Sequence, residues 1–302
     1  MTTAPPSPRI GLIVVNYRSH DVIEQNLADL IDPPFPLTVV VVDNFSTEEE
    51  ASAVASMCRR RGWEPVSADT NRGFGSGVNL GVARALSVGC SVFVLLNPDA
   101  TLTVADLGSL SQRVATDREL VLSPRVVRPD GARWFDGGVV SVLEGTTRTS
   151  PGADSSAEGG WLTGACMALH ADLWTRIGGF DDRYFLYWED VDLSWRITEA
   201  GGRLAVARDL SAVHSVGGTQ STDGKSSIYV YYNCRNRLYF ARDHLTQAQQ
   251  RSWALSSIRY ARSVLLRGGR RALARHPFGL ISAAVRGTVA GLLALRRQPE
   301  RG

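Results

Sequence analysis

Three uniformly apolar runs constrain the fold of this chain more than any other feature. Ile10 to Val15, Leu37 to Val42 and Ser91 to Leu96 are hydrophobic at nearly every position. A strand with one wet face would alternate, so these runs predict strands buried on both faces, as in a parallel sheet covered by helices. Helical segments lie between them, at about Asp21 to Leu30, Glu48 to Arg61 and Gly77 to Val88, with a short strand near Glu64 to Ser67. Such alternation implies βαβ units and an α/β fold with a mostly parallel sheet. Two of the runs lead into carboxylates, Asp43 and Asp99. Open α/β sheets bind ligands outside the carboxyl ends of their strands.

With 302 residues, 44% hydrophobic content and 29 glycines, the chain has enough material for one large core and an appendage. Its four cysteines are scattered and form no CxxC pair, which argues against a zinc site or a disulfide framework. Residues Met1 to Arg9 are Pro-rich and lack an apolar stretch, so no secretory signal is expected there. The net charge of +3 hides an asymmetry. From Cys234 onward there are 14 arginines and two acids, a net of +12, which leaves −9 for the preceding residues. That split points to contact between the C-terminal part and an anionic surface. Thr146 to Gly160 and Gly217 to Ser227 have the glycine- and serine-rich composition of loops.

Asp43 stands where a strand carboxylate can accept a hydrogen bond from a nucleobase or ribose, although an Asx turn explains it equally well. Asn71 to Gly81 is glycine-dense and opens a helix, a setting in which backbone amides can approach a diphosphate. The run lacks a Walker lysine and Rossmann spacing, and close packing of the helix is the competing reading for Gly77 and Gly81. Asn97-Pro98-Asp99 offers a hard-cation ligand, with His214 at the end of the strand-like Ala205 to Val213 region as a partner. The plainer alternative makes Asp99 the cap of a helix beginning near Thr103. A second acidic station follows Tyr184, Phe185, Tyr187 and Trp188, where Glu189, Asp190 and Asp192 cluster. Aromatic surroundings raise a carboxyl pKa toward general-base range, whereas solvated first-turn acids would be unremarkable.

Taken in order, Val14-Val15-Asn16-Tyr17, Val42-Asp43-Asn44, Asn71-Arg72-Gly73-Phe74-Gly75, Asn97-Pro98-Asp99, Gly178-Gly179-Phe180-Asp181, Trp188-Glu189-Asp190-Val191-Asp192 and Arg235-Asn236-Arg237 form a recognisable set. The set resembles the inverting family 2 glycosyltransferases, in particular bacterial rhamnosyltransferase-like members with the GT-A fold, over roughly Ile10 to Phe240. The resemblance implies a catalytic domain over residues 1–240, a nucleoside-diphosphate sugar donor and a divalent cation, Mg²⁺ or Mn²⁺. It implies that Asp43 holds the nucleobase, Asp99 and His214 the metal, and that Asp190 is the catalytic base. Asn44, Asn71, Arg72, Gly73, Asn79, Trp188, Glu189 and Arg235 are the further substrate contacts it suggests. The family's metal motif carries two aspartates, and the first is Asn97 here. Asn-Pro-Asp resembles the version in rhamnosyltransferase-like members, which points to dTDP-L-rhamnose as donor and a polyprenyl-diphosphate-linked sugar such as GlcNAc as acceptor. Galactofuranosyl or glucosyl transfer is the alternative within the class. A sugar-nucleotide nucleotidyltransferase should carry a glycine-rich signature directly after the first strand, where Asn16-Tyr17-Arg18-Ser19 stands.

Residues 241–302 read as basic amphipathic helices. Arginines from Arg251 to Arg275 accompany an apolar stripe of Trp253, Ile258, Ala261 and Leu265. Phe278 to Leu295 is mostly apolar, but Arg286 lies mid-span, where a charge costs about 2.5–3.5 kcal/mol even on lenient insertion scales. Helices lying in the membrane interface fit better, with Trp253, Ile258, Leu265 and Leu266 buried among headgroups. The expected location is therefore cytoplasmic, peripheral on the inner face of the membrane. The alternative is packing against the catalytic domain or a second copy in a homodimer. A nucleic-acid partner is not expected, because it would leave both acidic stations without a purpose.

Overall fold

The computed structural model describes residues 8–30, 32–149, 159–215, 225–275 and 277–297. The first half comprises β1 (Ile10–Asn16), α1 (His20–Asn26), β2 (Leu37–Asp43), α2 (Glu48–Arg61), β3 (Glu64–Ser67), α3 (Phe74–Ser87), β4 (Val92–Leu96), β5 (Ala100–Leu102), α4 (Val104–Thr116) and β6 (Leu120–Val127). Short strands follow: β7 (Arg133–Phe135), β8 (Gly138–Ser141), β9 (Thr146–Thr149), β10 (Gly160–Trp161) and β11 (Cys166–His170). Then come α5 (Ala171–Ile177), α6 (Glu189–Glu199), β12 (Arg203–His214) and α7 (Ser227–His244). The chain closes with α8 (Gln247–Leu255), α9 (Ser257–Leu266), α10 (Arg270–Arg275) and α11 (Pro277–Leu295).

The large sheet runs β3-β2-β1-β4-β11-β6-β12-β5, with β7 added on β6. Strands β3, β2, β1 and β4 are parallel, as the apolar runs of β2, β1 and β4 imply. β11 is antiparallel to both β4 and β6, and β6 is parallel to β12, so β4, β6 and β12 all point the same way. Asp43, the Asn97–Asp99 link and His214 therefore end on one sheet edge. Alternating residues of β1 feed two cores. Leu12 and Val14 pack with Val41, Val94, Leu107 and Leu110, while Ile13 and Val15 pack with Val42, Val78, Phe93 and Leu95 on the other face.

Helix ends follow local chemistry. Thr47 accepts the Glu50 amide, Glu48 to Glu50 lie at the positive end of α2, Arg59 to Arg61 at its negative end, and Gly62 closes it at φ 68°. The first helix is shorter than its expected span to Leu30. Ala28 and Leu30 donate three residues back, to Gln25 and Leu27, and tighten the chain into turns after Asn26. α3 begins at Phe74 rather than Gly77. Thr146 to Thr149, expected as loop, pairs with β8 as β9 in a small three-stranded sheet, where β-branched threonines fit well. Residues 150–158 and 217–224 of the two expected loops lie outside the described residues.

A third core joins α6 to the C-terminal helices through Tyr184, Trp188, Val191, Leu238, Phe240, Trp253 and Val264. The expected division at 240/241 falls inside α7.

Candidate active site

The two acidic stations meet across residues 164–165. The Asn97 amide donates to Ala165 O (2.9 Å), and the Gly164 amide donates to Asp190 Oδ2 (3.3 Å). Asp190 sits in the first turn of α6, half-buried, and accepts the Val191 amide on Oδ1 (2.9 Å). Burial raises its carboxyl to about 6, against the pull of those amide hydrogen bonds. Its neighbours are not the solvated acids of the plainer reading. Glu189 is buried, its Oε2 has no hydrogen-bond partner, and burial reinforced by Asp190 and Asp192 pushes its carboxyl well up. Asp192 is buried and paired with Arg196 Nε (2.8 Å) and His244 Nε2 (2.8 Å).

At the sheet edge Asp99 does not cap a helix; Thr103 caps α4 by accepting the Asp106 amide. Asp99 Oδ1 instead lies 2.9 Å from His214 Nε2, both residues being buried. That contact is a hydrogen bond in the protein, and its carboxylate and imidazole are groups that would serve as ligands to a divalent cation. Among the described residues no group of three or more His, Cys, Asp or Glu is placed to hold a metal, so a cation here would need oxygens of the substrate as well. The Trp134 ring lies 4.5 Å from the His214 ring, and His214 Nδ1 has no partner among the described residues.

Asp43, at the end of β2, accepts from Asn16 Nδ2 (3.2 Å) on Oδ1 and leaves Oδ2 buried and unpaired. Burial, with Glu50 and Glu48 nearby, raises its carboxyl. That unpaired oxygen can accept a hydrogen bond, and an imide N–H of a nucleobase is a donor of the right kind. Asn16 was not singled out from sequence, although a polar residue closing an apolar strand was the available signal.

Several other expected substrate contacts are engaged within the protein. Asn44 Nδ2 donates to Asn71 Oδ1 (3.1 Å) and Gly73 O (2.9 Å), and Asn44 Oδ1 accepts the Arg72 amide (3.1 Å). Asn71 Oδ1 also accepts the Gly73 amide (2.9 Å). Asn79 grips the Phe180 backbone at N (2.9 Å) and O (2.8 Å) and donates to Asp182 (3.0 Å). The glycine run is accounted for by close packing. A Cβ on Gly73, at φ 85°, would lie 2.0 Å from Phe185 O, and one on Gly75, Gly77 or Gly81 would meet Phe180, Val15 or Ile13 within 2.8 Å. The Gly73 and Phe74 amides are already donated, to Asn71 and Phe185. Arg72 is exposed, and its guanidinium has no partner among the described residues.

Trp188 is buried against Phe240 and Trp253, with ring centroids at 5.5 and 6.0 Å, which makes it a core residue. Arg235 donates to Arg183 O (2.6 Å) and Asn236 Oδ1 (2.8 Å) between the rings of Tyr232 and Tyr239. Arg237 is fully buried and donates to Gly145 O (2.6 Å), Trp253 O (2.9 Å) and Ser256 Oγ (2.8 Å). Burial lowers its guanidinium to about 10. The Arg-Asn-Arg motif is thus a clamp between α7, the turn before α6 and the following helices.

A sheet of this order, with a carboxylate at the end of its second strand and an acid–histidine pair on the same edge, is a GT-A glycosyltransferase fold. It superposes on the mannosyltransferase PcManGT of Pyrobaculum calidifontis with a TM-score of 0.56 at 19% identity, over 97% of this chain and 88% of that one. Residues 12–151 match the model of Glycosyl transferase family 2. The chain is 26% identical to the N-acetylglucosaminyl-diphospho-decaprenol L-rhamnosyltransferase of Mycobacterium tuberculosis over 299 residues, covering 87% of this chain and 96% of that protein. It is 24% identical to the low-salt glycan biosynthesis hexosyltransferase Agl10 of Haloferax volcanii over 307 residues, covering 97% and 94%. The chain is a glycosyltransferase whose residues 12–151 are similar to family 2 and whose relatives are rhamnosyl- and hexosyltransferases.

Proposed function

We propose that the enzyme transfers L-rhamnose from dTDP-L-rhamnose to a polyprenyl-diphosphate-linked sugar such as GlcNAc. The observation that carries this reading is the meeting of the two stations at residues 164–165, which links Asp190, its carboxyl raised to about 6, to the strand end that leads into Asp99 and its partner His214. The choice of sugars is supported by the Mycobacterium relative, whose name specifies rhamnosyl transfer to N-acetylglucosaminyl-diphospho-decaprenol.

Asp43 Oδ2 accepts from the base of the donor. Asp190 takes the proton of the acceptor hydroxyl as its oxygen attacks the anomeric carbon. The bond to the diphosphate breaks on the opposite face, and configuration inverts. Asp99 and His214 hold Mg²⁺ or Mn²⁺, and when bound the cation offsets charge on the departing nucleoside diphosphate. PcManGT was solved with GDP-mannose and Mn²⁺, which supports a divalent cation.

The C-terminal helices hold the enzyme on the cytoplasmic face of an anionic membrane. α11 is long and apolar enough to cross a bilayer, but it packs Leu280, Ala283, Ala284, Gly287, Gly291 and Ala294 inward, against a core that includes α7. Its other face leaves Phe278, Ile281, Val285, Val289 and Leu293 exposed at helical spacing. Trp253 is buried in the core, so the membrane-facing group shifts to α11, joined by Leu255 and Ile258, which are 87% and 85% exposed. The surplus of arginine in this part disfavours pairing two copies through the face and favours phospholipid headgroups.

The direct test incubates the protein with a panel of nucleotide sugars and a polyprenyl-diphosphate-GlcNAc acceptor, with and without EDTA. Rhamnosylated product that disappears with EDTA is expected. Transfer from UDP-sugars alone would overturn the donor assignment, and EDTA-insensitive transfer the metal assignment.

A further inference from the structure

Two consecutive non-glycine residues just before the proposed base adopt left-handed backbone, Tyr187 at φ 66° and Trp188 at φ 73°. Side-chain-bearing residues reach this region only under constraint, and two in succession need an external hold. That hold is visible. Asn236, fully buried on α7, donates its Nδ2 to Leu186 O (3.0 Å) and Tyr187 O (2.7 Å), the two carbonyls that enter the turn. Its Oδ1 accepts Arg235 Nε (2.8 Å), so the amide is oriented by a cation on one side and two carbonyls on the other. A flipped amide would set NH₂ against the guanidinium and an oxygen against two oxygens. Arg235 is in turn fixed by Arg183 O (2.6 Å) and by its place between two tyrosine rings.

The turn delivers the chain directly into α6, whose second residue is Asp190. The path from Asn236 to the base is therefore three residues of constrained backbone. It also gives a role to an element whose Arg235 Nε and Nη2 and both Asn236 side-chain polar atoms are engaged within the protein. Resting on the assignment of Asp190 as the base, we propose that Asn236 is a positioning residue for catalysis: it holds the left-handed Tyr187–Trp188 turn and thereby fixes Asp190 against the Gly164 amide. The helix that begins the C-terminal region is on this account part of the catalytic apparatus and not only a route to the membrane.

A positional role makes readouts that a purely structural one would not. Misplacing a reacting group by about 1 Å typically costs on the order of 10²-fold in rate. Asn236→Ala is expected to lower kcat by about that factor while the donor KM moves less than about threefold. The charged groups around Asp190 are Glu189 and Asp192 of its own helix, and Asp192 is paired with Arg196 and with His244 of α7. Relaxing the turn lets water reach Asp190, so the acid limb of the kcat profile, expected near pH 6, moves to lower pH. Asp190→Asn, measured alongside, must abolish that limb.

If the wild-type limb does not depend on Asp190, the base assignment fails and this inference with it. If the limb belongs to Asp190 but stays in place in Asn236→Ala, with only the folded fraction reduced, positioning alone is overturned. Should Asn236→Ala fail to fold, the half-exposed Arg235→Gln replaces it. The same downward shift with a smaller kcat loss is expected there, and an unchanged limb and kcat would overturn the proposal.

Discussion

The carboxyl edge of the large sheet and the helical shell around α6 and α7 carry equally conspicuous polar residues and use them in opposite ways. On the edge, Asp43 keeps one buried oxygen unpaired, and His214 one nitrogen. In the shell, Asp192, Arg235, Asn236 and Arg237 direct their polar groups to protein partners. Asp190 stands at the boundary, held by two amides yet only half-buried. A buried polar atom left unpaired carries a penalty that a ligand removes, whereas a fully bonded one has nothing left to offer. Asp43 Oδ2 and His214 Nδ1 are on this argument open to a ligand where Asn236 and Asp192 are not, although Glu189 Oε2 shows that the shell also keeps a buried unpaired atom.

The comparison is tested most strongly at its boundary. General-base contributions are typically about 10²–10⁴-fold, and Asp190→Asn is expected to lose that much kcat with donor affinity nearly intact in a direct binding titration. The same change is expected to raise Tm at pH 7. A carboxyl raised from its ordinary 3.8 to about 6 binds its proton more tightly folded than unfolded. Its contribution to stability is therefore present at low pH and declines as pH rises between those values. An amide has no such decline. Retained turnover in Asp190→Asn with loss in Glu189→Gln would move the base to the neighbouring acid.

The next pair sets one region directly against the other. Hydrogen bonds to charged groups contribute about 1.5–3 kcal/mol, so Asp43→Ala should weaken donor binding by about 10–100-fold with little change in Tm. Arg237→Ala should leave donor binding in the folded fraction unchanged and lower stability by about 3 kcal/mol or more, because two buried acceptors and the half-buried Ser256 Oγ lose a charged donor. Calorimetric titration with the nucleoside diphosphate and a melting scan decide it. A stability loss in Asp43→Ala and a binding loss in Arg237→Ala would reverse the assignment of the two regions.

The parallel half of the fold was legible because its signals are local. Unbroken apolar strands, capped helices and acids at strand ends can be read within a window of about fifteen residues. Asp43, Asp99 and His214 stand out at strand ends for the same reason, whereas the choice of Asp190 over Glu189 and Asp192 comes from the family resemblance. What was not legible depends on contacts far along the chain. Gly73 and Gly75 resemble a phosphate cradle until Phe185 and Phe180, about a hundred residues later, are seen filling the space, and Gly77 and Gly81 until Val15 and Ile13 of β1 are. Asn79 reads as a substrate contact until the Phe180 backbone meets it. Arginines in a basic stretch read as solvated or phosphate-seeking, and no local pattern distinguishes the fully buried Arg237 from the exposed Arg259.

The two faces of α11 repeat the same contrast on one helix, and the smallest predicted effects lie there. On the inner face a Cβ at Gly287 would lie 2.3 Å from Tyr231 O, so Gly287→Ala should force α11 away from α7 and lower Tm. On the outer face Val285 is 57% exposed and unpacked, so Val285→Ser should leave Tm within experimental error. Its effect belongs to membrane binding. Burying about 40 Å² of apolar surface at roughly 25 cal/mol per Å² contributes on the order of 1 kcal/mol, so partitioning onto anionic vesicles should fall about fivefold. Added salt should weaken binding in both proteins, because the arginine contribution is screened while the apolar one is not. Flotation with phosphatidylserine vesicles, set beside neutral ones, reads this directly. If Val285→Ser leaves flotation unchanged but converts a dimer to a monomer by light scattering, the outer face belongs to a second copy of the chain and the membrane assignment is wrong.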